Sequence, residues 1–286
     1  MNVLVLLVMT LATQERDNAL KARIQKRLSE SRGTYAVAFE DLQSGTRILI
    51  HEREMFHAAS TMKTPVMIEL FRKTAKGEIA LDDSIEVRNS FKSIVDGSPY
   101  SLSVTDDSDD SAYALMGRRV PIRQLIEHMI TVSSNLATNI LIELANPVQV
   151  TRTMRTLGAD SIEVLRGVED LKAFERGWNN RTTAFDLLMM FRAIAEESVP
   201  GSTEMMKILE RQQFRDLIPA GLPAGVRVAH KTGSISGVEH DGGIVILPDG
   251  RRYVLVVLSR DLQDRDEGKK AIADVSRMVF EYMSGT

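Results

Sequence analysis

The chain has 286 residues, of which 43% are apolar, 26% are charged and 5% are aromatic. These values are typical of globular proteins and exclude a fully disordered, collagen-like or mucin-like chain. The formal net charge of −3 indicates no polyanionic partner, so we expect no nucleic-acid binding. The chain has no cysteine, which excludes disulfides, thiolate nucleophiles and cysteine-ligated metal sites.

An apolar run over residues 3–9 opens the chain and is followed by small and polar residues up to Gln14. A membrane-spanning helix needs about 20 apolar residues. Because this run is shorter, we expect no stable membrane insertion. It resembles the apolar centre of a secretory signal, although the usual basic residues before it are missing. We therefore predict a signal segment at 1–14 and export to the periplasm or the extracellular space. A short buried strand or helix is the alternative.

The rest of the chain has predicted strands near both ends and predicted helices in the middle. Leu20, Ile24 and Leu28 recur every four residues, which predicts an amphipathic helix over 15–31. The predicted strands are 34–41 and 46–50, which form a hairpin, and 226–234, 242–247 and 252–260. The other predicted helices are 60–76, 121–131, 136–146, 147–157, 183–197, 203–212 and 267–283.

This order predicts an α/β fold of the α+β type, with a mostly antiparallel sheet built from both chain ends. The terminal helices flank the sheet, and the middle of the chain forms an all-α lobe. We place the sheet subdomain at about 15–59 and 215–286 and the helical lobe at about 60–214. A functional site is expected in the cleft between them.

Ser60 and Lys63 lie one turn apart at the start of a predicted helix. Residues i and i+3 share a helical face, so the hydroxyl and the amine point the same way. Burial in a cleft lowers the pKa of a lysine, which then takes the serine's proton or organises another base. Pro65 predicts that the first turn is irregular. Alone, the spacing fits an N-cap serine beside a solvated lysine equally well.

Ser133-Ser134-Asn135 lies between two predicted helices. Its simplest interpretation is a helix–helix turn with N-caps. In the functional interpretation, Ser133 relays a proton to a leaving group and Asn135 binds a substrate carbonyl.

Lys231-Thr232-Gly233-Ser234 lies in a predicted strand, where the period of two places Lys231 and Gly233 on one face. Glycine there permits close approach of a ligand to the backbone. The N–H groups of Ser234 and Ser60 then form an oxyanion hole, and Lys231 binds a substrate carboxylate. Alone, such a segment in an edge strand indicates no particular function.

Together and in this order, the three segments form the set S-x-x-K, S-x-N and K-T-G. The sequence resembles the serine β-lactamase/penicillin-binding superfamily over about residues 17–284, most closely class A β-lactamases and class A-related serine hydrolases. The resemblance implies one serine hydrolase domain over 15–286 and a covalent acyl-enzyme on Ser60, with no metal or organic cofactor. It matches Lys63 and Ser133 to catalytic residues, and Asn135, Lys231, Thr232, Gly233 and Ser234 to substrate-binding ones.

Two departures from the family pattern concern the second motif and the Ω-loop. The middle residue of the second motif is usually Asp, which helps to order the turn, and here it is Ser134. The Ω-loop glutamate that activates the deacylating water is Glu169 in one alignment, while the other places Val168 there. The companion asparagine is absent in both, since Ala173 or Lys172 stands in its place.

Glu169 is therefore a candidate deacylation base, and a surface carboxylate paired with Arg166 or Arg176 is the alternative. Asn139 matches a structural asparagine of the family. His240, just after the third motif, is a candidate substrate contact or a strand-start residue. The acidic run 106–110 is interpreted as a solvated loop, with a loose calcium site as the alternative.

We expect slow β-lactam hydrolysis by a monomer that acts on a small-molecule substrate. The alternatives are a D-alanyl-D-alanine peptidase or esterase with the same residues, and a β-lactam sensor that stays acylated.

Overall fold

The computed structural model describes residues 3–285, with side chains described from Gln14 onward. The helices are α1 (Val3–Ser29), α2 (Lys63–Ala75), α3 (Ile122–Thr131), α4 (Asn135–Ala145), α5 (Pro147–Thr156), α6 (Leu171–Glu175), α7 (Ala184–Ala195), α8 (Ser202–Glu210) and α9 (Arg265–Ser284). The strands are β1 (Thr34–Asp41), β2 (Arg47–Ile50), β3 (Phe56–His57), β4 (Ser84–Glu86), β5 (Phe91–Lys92), β6 (Pro99–Tyr100), β7 (Arg119–Pro121), β8 (Arg181–Thr182), β9 (Arg227–Ile235), β10 (Val238–Ile246) and β11 (Arg252–Arg260). Within this described part of the chain, no helix is long and apolar enough to cross a membrane.

A five-stranded sheet with the order β2-β1-β11-β10-β9 forms the centre of the fold, and all its neighbouring strands are antiparallel. Strand β1 pairs with β11 along its whole length, with Thr34 opposite Arg260 and Asp41 opposite Tyr253. The sheet is thus built from both ends of the chain, and the α/β fold predicted from the sequence is confirmed. The predicted β1–β2 hairpin is also present.

Two apolar clusters lie on opposite faces of this sheet. Because strand side chains alternate, Ala36 and Ala38 of β1 belong to the cluster shared with the helical lobe. Val37 and Phe39 belong to the second cluster, which α1 and α9 cover. Burying one large apolar side chain contributes about 1.5–3 kcal/mol, so the two clusters attach the helices firmly to the sheet.

Strand β10 begins four residues before the predicted strand 242–247. The prediction missed the start of β10 because it contains three polar residues, which are nevertheless buried: Glu239, His240 and Asp241. The middle lobe is mainly helical and also contains two small antiparallel ladders, β4–β7 and β5–β6. A third ladder, β3–β8, pairs residues just before the lobe with residues inside it.

The predicted signal segment 1–14 lies mostly outside the residues whose side chains are described, and its residues 1–2 lie outside the described residues. The described backbone of this segment continues α1 without a break from Val3, whereas a helix was predicted only from residue 15.

Gly221 ends a 3₁₀ turn (Ile218–Gly221) that packs against α9. A Cβ atom at 221 would lie 2.0 Å from the carbonyl oxygen of Ala273 and 2.9 Å from the amide nitrogen of Arg277. Because both are helix backbone atoms, Gly221→Ala should destabilise the fold by about 1–3 kcal/mol or more. Thermal unfolding should show this as a melting temperature lower by several degrees.

The exposed neighbour Ala220 supplies the control. Ala220→Ser also adds one atom to this turn, but the added oxygen points into solvent. It should change stability by less than about 0.5 kcal/mol. Equal melting temperatures for the two variants would contradict the close contact.

Candidate active site

Lys63 connects the start of α2 with the turn between α3 and α4. Ser60 lies in a 3₁₀ turn (Ala59–Met62), and Lys63 follows as the first residue of α2, so the first turn is irregular as predicted. The side chain of Lys63 is fully buried. Its Nζ atom donates to the carbonyl oxygen of Ser133 (2.6 Å), to Ser133 Oγ (3.2 Å) and to Asn135 Oδ1 (3.0 Å).

Ser133 has an unusual backbone conformation that directs its polar atoms toward this amine. Its φ is 59°, in the left-handed region, which costs a non-glycine residue about 1–3 kcal/mol. Next to it, Ser134 Oγ accepts a hydrogen bond from the amide of Ala137 (3.3 Å) and so caps α4. The N-cap predicted for this turn is therefore present, and it coexists with the contact to Lys63.

A second lysine reaches the same hydroxyl from the sheet. Lys231 of β9 is fully buried, and its Nζ atom donates to Ser133 Oγ and to the carbonyl oxygen of Thr232, both at 3.0 Å. Burial and the charge of Lys63 hold the pKa of Lys231 well below its usual range. Burial also lowers the pKa of Lys63 to about 7, so a large fraction of this amine is neutral near neutral pH.

Gly233 allows β9 to run directly beside the serine. A Cβ atom at 233 would lie 3.1 Å from the amide nitrogen of Ser60, which is tighter than most side-chain contacts. The next residue, Ser234, donates from Oγ to Glu239 Oε1 (2.9 Å) and accepts from Arg265 Nη2 (2.8 Å). The third motif therefore lies against the first, as its sequence predicts.

Asn135 connects Lys63 to the Ω-loop, which is here the segment between α5 and α6 that carries Glu169. Its Oδ1 atom accepts from Lys63, and its Nδ2 atom donates to Glu169 Oε1 (2.9 Å). Glu169 is half-buried and has a left-handed φ of 61°. Burial raises the pKa of the Glu169 carboxyl, against the opposing effect of the hydrogen bond from Asn135.

The loop that carries Glu169 is fixed through its backbone. The amide nitrogen of Val168 donates to Asn139 Oδ1 (2.6 Å), and its carbonyl oxygen accepts from Asn139 Nδ2 (3.0 Å). Arg166, a suggested partner of Glu169, instead donates to Asn179 Oδ1 (2.8 Å) and to the carbonyl oxygen of Trp178 (2.9 Å). The Glu169 carboxylate therefore faces Asn135 rather than an arginine.

A cavity of about 640 Å³ opens over these groups. Its polar lining includes Ser60, Ser133, Asn135, Glu169, Thr232 and Ser234. Four exposed apolar side chains also line it, which are Leu171, Phe174, Phe214 and Ile235. Large exposed apolar groups that share one cavity are typical of a ligand site.

His240 is not part of this cavity. It is fully buried, donates from Nε2 to the carbonyl oxygen of His57 (2.8 Å) and accepts at Nδ1 from the amide of Ser259 (3.1 Å). Burial lowers the pKa of His240 to about 4. The structure thus places this residue inside the sheet, where it does not reach the position of a substrate.

The acidic run 106–110 contains residues whose role the sequence did not reveal. The carboxylate of Asp107 accepts hydrogen bonds from the amides of Asn135 and Leu136, and Asp109 Oδ2 lies 2.7 Å from His128 Nδ1. The interpretation as a solvated loop is therefore wrong for these two residues. Among the residues that the structure describes, no three or more His, Cys, Asp or Glu side chains are arranged to hold a metal ion.

The family model described as "Beta-lactamase enzyme family" matches residues 19–283. The chain therefore belongs to this family of enzymes, as the three motifs indicate. It is 25% identical to a β-lactamase of Bacteroides uniformis, over 96% of this chain and 95% of the relative. It is 26% identical to PBP-A, whose structure matches with a TM-score of 0.79 over 94% of this chain and 97% of that one. An acyl-enzyme complex of a point mutant of PBP-A with penicillin G matches with a TM-score of 0.78 over the same shares.

The pKa of about 7 for Lys63 predicts how acylation of Ser60 should depend on pH. Only the neutral amine accepts a proton, so the acylation rate should rise with pH through about 7 and then level off. Asp107 and Glu169 both raise this pKa. Removing a negative charge by Glu169→Gln should therefore shift the rise to lower pH.

Rapid-mixing measurements of acylation at a series of pH values, on both proteins, provide the check. A rate that is constant across neutrality, or a rise that moves to higher pH in the variant, would contradict the role of Lys63 as the base.

Proposed function

We propose that this chain is a serine β-lactamase of the class A type, which opens the β-lactam ring through an acyl-enzyme on Ser60. The observation that carries the proposal is the buried amine of Lys63, held by Ser133 and Asn135 beneath a cavity lined by Ser60. This arrangement provides a nucleophile, a base of suitable pKa and a proton relay at one point.

In the acylation step, Ser60 Oγ attacks the carbonyl carbon of the ring, and Lys63 takes its proton, alone or with Glu169 through a water molecule. The N–H groups of Ser60 and Ser234 stabilise the oxyanion. When the ring C–N bond breaks, Ser133 gives its proton to the leaving nitrogen. The two lysines that donate to Ser133 Oγ are placed to replace that proton.

Substrate binding involves both walls of the cavity. Lys231 and Thr232 hold the substrate carboxylate, and Asn135 binds the carbonyl of the acyl side chain. The exposed apolar groups Leu171 and Phe174 favour substrates whose acyl group is itself apolar. A PBP-A variant forms an acyl-enzyme with penicillin G, which supports a penicillin as the first substrate to test.

Deacylation is assigned to Glu169, because its carboxylate faces Asn135 in the cavity. The α6 residues after it offer little help in holding the water. Lys172 Nζ donates to Asp96 Oδ2 and Ser98 Oγ, both at 2.7 Å, and Ala173 has no polar side chain. Poor positioning can cost about 10²-fold in rate, so we propose slow hydrolysis that is limited by deacylation.

Ser60→Ala should abolish covalent labelling by penicillin G, because it removes the attacking oxygen and leaves the buried amine in place. Intact mass, followed over time after mixing, measures the adduct, and a thermal melt shows whether the variant is folded. If the alanine variant still gains the mass of the penicillin, Ser60 is not the nucleophile.

The same time course on the parent protein separates the possible functions. A transient adduct supports a β-lactamase, and a lasting adduct indicates a binding protein that does not turn over. No adduct would indicate an unrelated hydrolase.

Glu169→Gln should keep the burst of product that equals the enzyme concentration and suppress the steady rate that follows. The amide keeps the size of the side chain but cannot take a proton from water. Stopped-flow absorbance with a chromogenic cephalosporin measures both phases. Glu175→Gln in α6 is a matched control, because this carboxylate is exposed and does not line the cavity. Steady turnover at the parent rate in Glu169→Gln would exclude Glu169 as the base.

A further inference from the structure

The α3–α4 turn is held by a loop that lies outside the three motifs. Asp107 is placed against the first turn of α4, and its carboxylate oxygens accept hydrogen bonds from the amides of Asn135 (2.8 Å) and Leu136 (2.9 Å). These amides have no helical carbonyl partner, since they open the helix. A carboxylate at a helix N-terminus is also favoured by the helix dipole.

The residues that follow Asp107 hold the other side of the same turn. Ser108 Oγ donates to the carbonyl oxygen of Val132 (2.7 Å), and the carboxylate of Asp109 accepts from His128 (2.7 Å) at the end of α3. Three consecutive loop residues therefore fix both ends of the turn. Its centre, Ser133, has the left-handed conformation that brings its oxygens to Lys63.

The sequence of the turn itself explains why an external carboxylate is needed. At the middle position, where relatives usually have Asp, Ser134 reaches only the amide of Ala137. Without Asp107, the amides of Asn135 and Leu136 would therefore have no protein acceptor. A buried donor that loses its acceptor is destabilising, and Asp107 satisfies both donors.

We propose that Asp107 is a positioning residue that replaces, from a separate loop, the acid missing at Ser134, and so fixes Ser133 and Asn135 relative to Lys63. The proposal rests on the catalytic roles proposed for Ser60 and Lys63. Asp107 itself contacts neither the serine nor the lysine by a hydrogen bond, and it acts through the turn and through its charge.

The charge gives this role a measurable signature. Three charged groups face Lys63, which are Asp107 from the loop, Glu169 from the Ω-loop and Lys231 from β9. Asp107 and Glu169 raise the pKa of Lys63, while burial lowers it. Asp107 also faces Tyr113, whose pKa is raised by burial and by this carboxylate. Loss of the Asp107 charge should therefore lower the pKa of Lys63 and shift the acylation profile to lower pH.

The test compares Asp107→Ala with the double variant Asp107→Ala/Ser134→Asp, which returns a carboxylate to the middle of the motif. The single variant should acylate about 10²-fold more slowly, the usual effect of a small misplacement, and the double variant should recover most of the rate. Asp110→Ala is the matched control, because Asp110 belongs to the same acidic run and is exposed. It should acylate at the parent rate.

Rates are measured by intact mass with two probes, penicillin G and a fluorophosphonate that labels activated serines. If the parent protein is labelled by the fluorophosphonate but not by penicillin G, the proposed function fails. The ratio of the fluorophosphonate labelling rates of variant and parent then still tests the role of Asp107. If Asp107→Ala melts below the assay temperature, Asp107→Asn keeps one acceptor atom, and its pH profile carries the test.

Recovery by Ser134→Asp together with a downward pH shift in Asp107→Asn supports the proposal. It is overturned if Asp107→Ala acylates at the parent rate. It is also overturned if the loss is not recovered by Ser134→Asp and the pH profile of Asp107→Asn is unchanged, since Asp107 would then only stabilise its own loop.

Discussion

The site depends on the burial of one amine. A charged or polar group that leaves water without partners is costly, so the fully buried Nζ atom of Lys63 requires acceptors on all sides. Ser133 and Asn135 supply them, and both come from a turn strained at Ser133. The same burial brings the pKa of Lys63 to about 7, where a lysine can act as a base. Stability and reactivity at this point therefore have one physical cause.

The surrounding elements meet at this amine from three directions. Strand β9 brings Lys231 to the hydroxyl of Ser133, and the Ω-loop brings Glu169 to the amide of Asn135. The helical lobe and the sheet each contribute part of one hydrogen-bonded network, so neither could form the site alone. The apolar wall formed by Leu171 and Phe174 then makes the cavity suited to a ligand with an apolar end.

Much of this arrangement could be predicted from the sequence, because the three motifs combine residue type, spacing and order. Features that rest on tertiary contacts could not. The start of β10 was missed because Glu239, His240 and Asp241 are polar, and pattern analysis expects polar residues to be exposed. His240 in fact makes its hydrogen bonds inside the sheet. The bonds of Asp107 to the start of α4 depend on how a long loop folds back, which periodicity does not encode.

The pairing of β1 with β11 has a consequence for biosynthesis. Because Thr34 lies opposite Arg260, the sheet lacks its β1–β11 pair until β11 has left the ribosome. The helical lobe is synthesised after the β1–β2 hairpin but before β9, β10 and β11, so its apolar face lacks most of the sheet during synthesis and must be kept from aggregating. Contacts this distant in sequence also slow folding. A nonsense mutation before Arg252 would therefore remove the interior strand β11. The truncated chain could not complete the sheet and would be degraded by proteases.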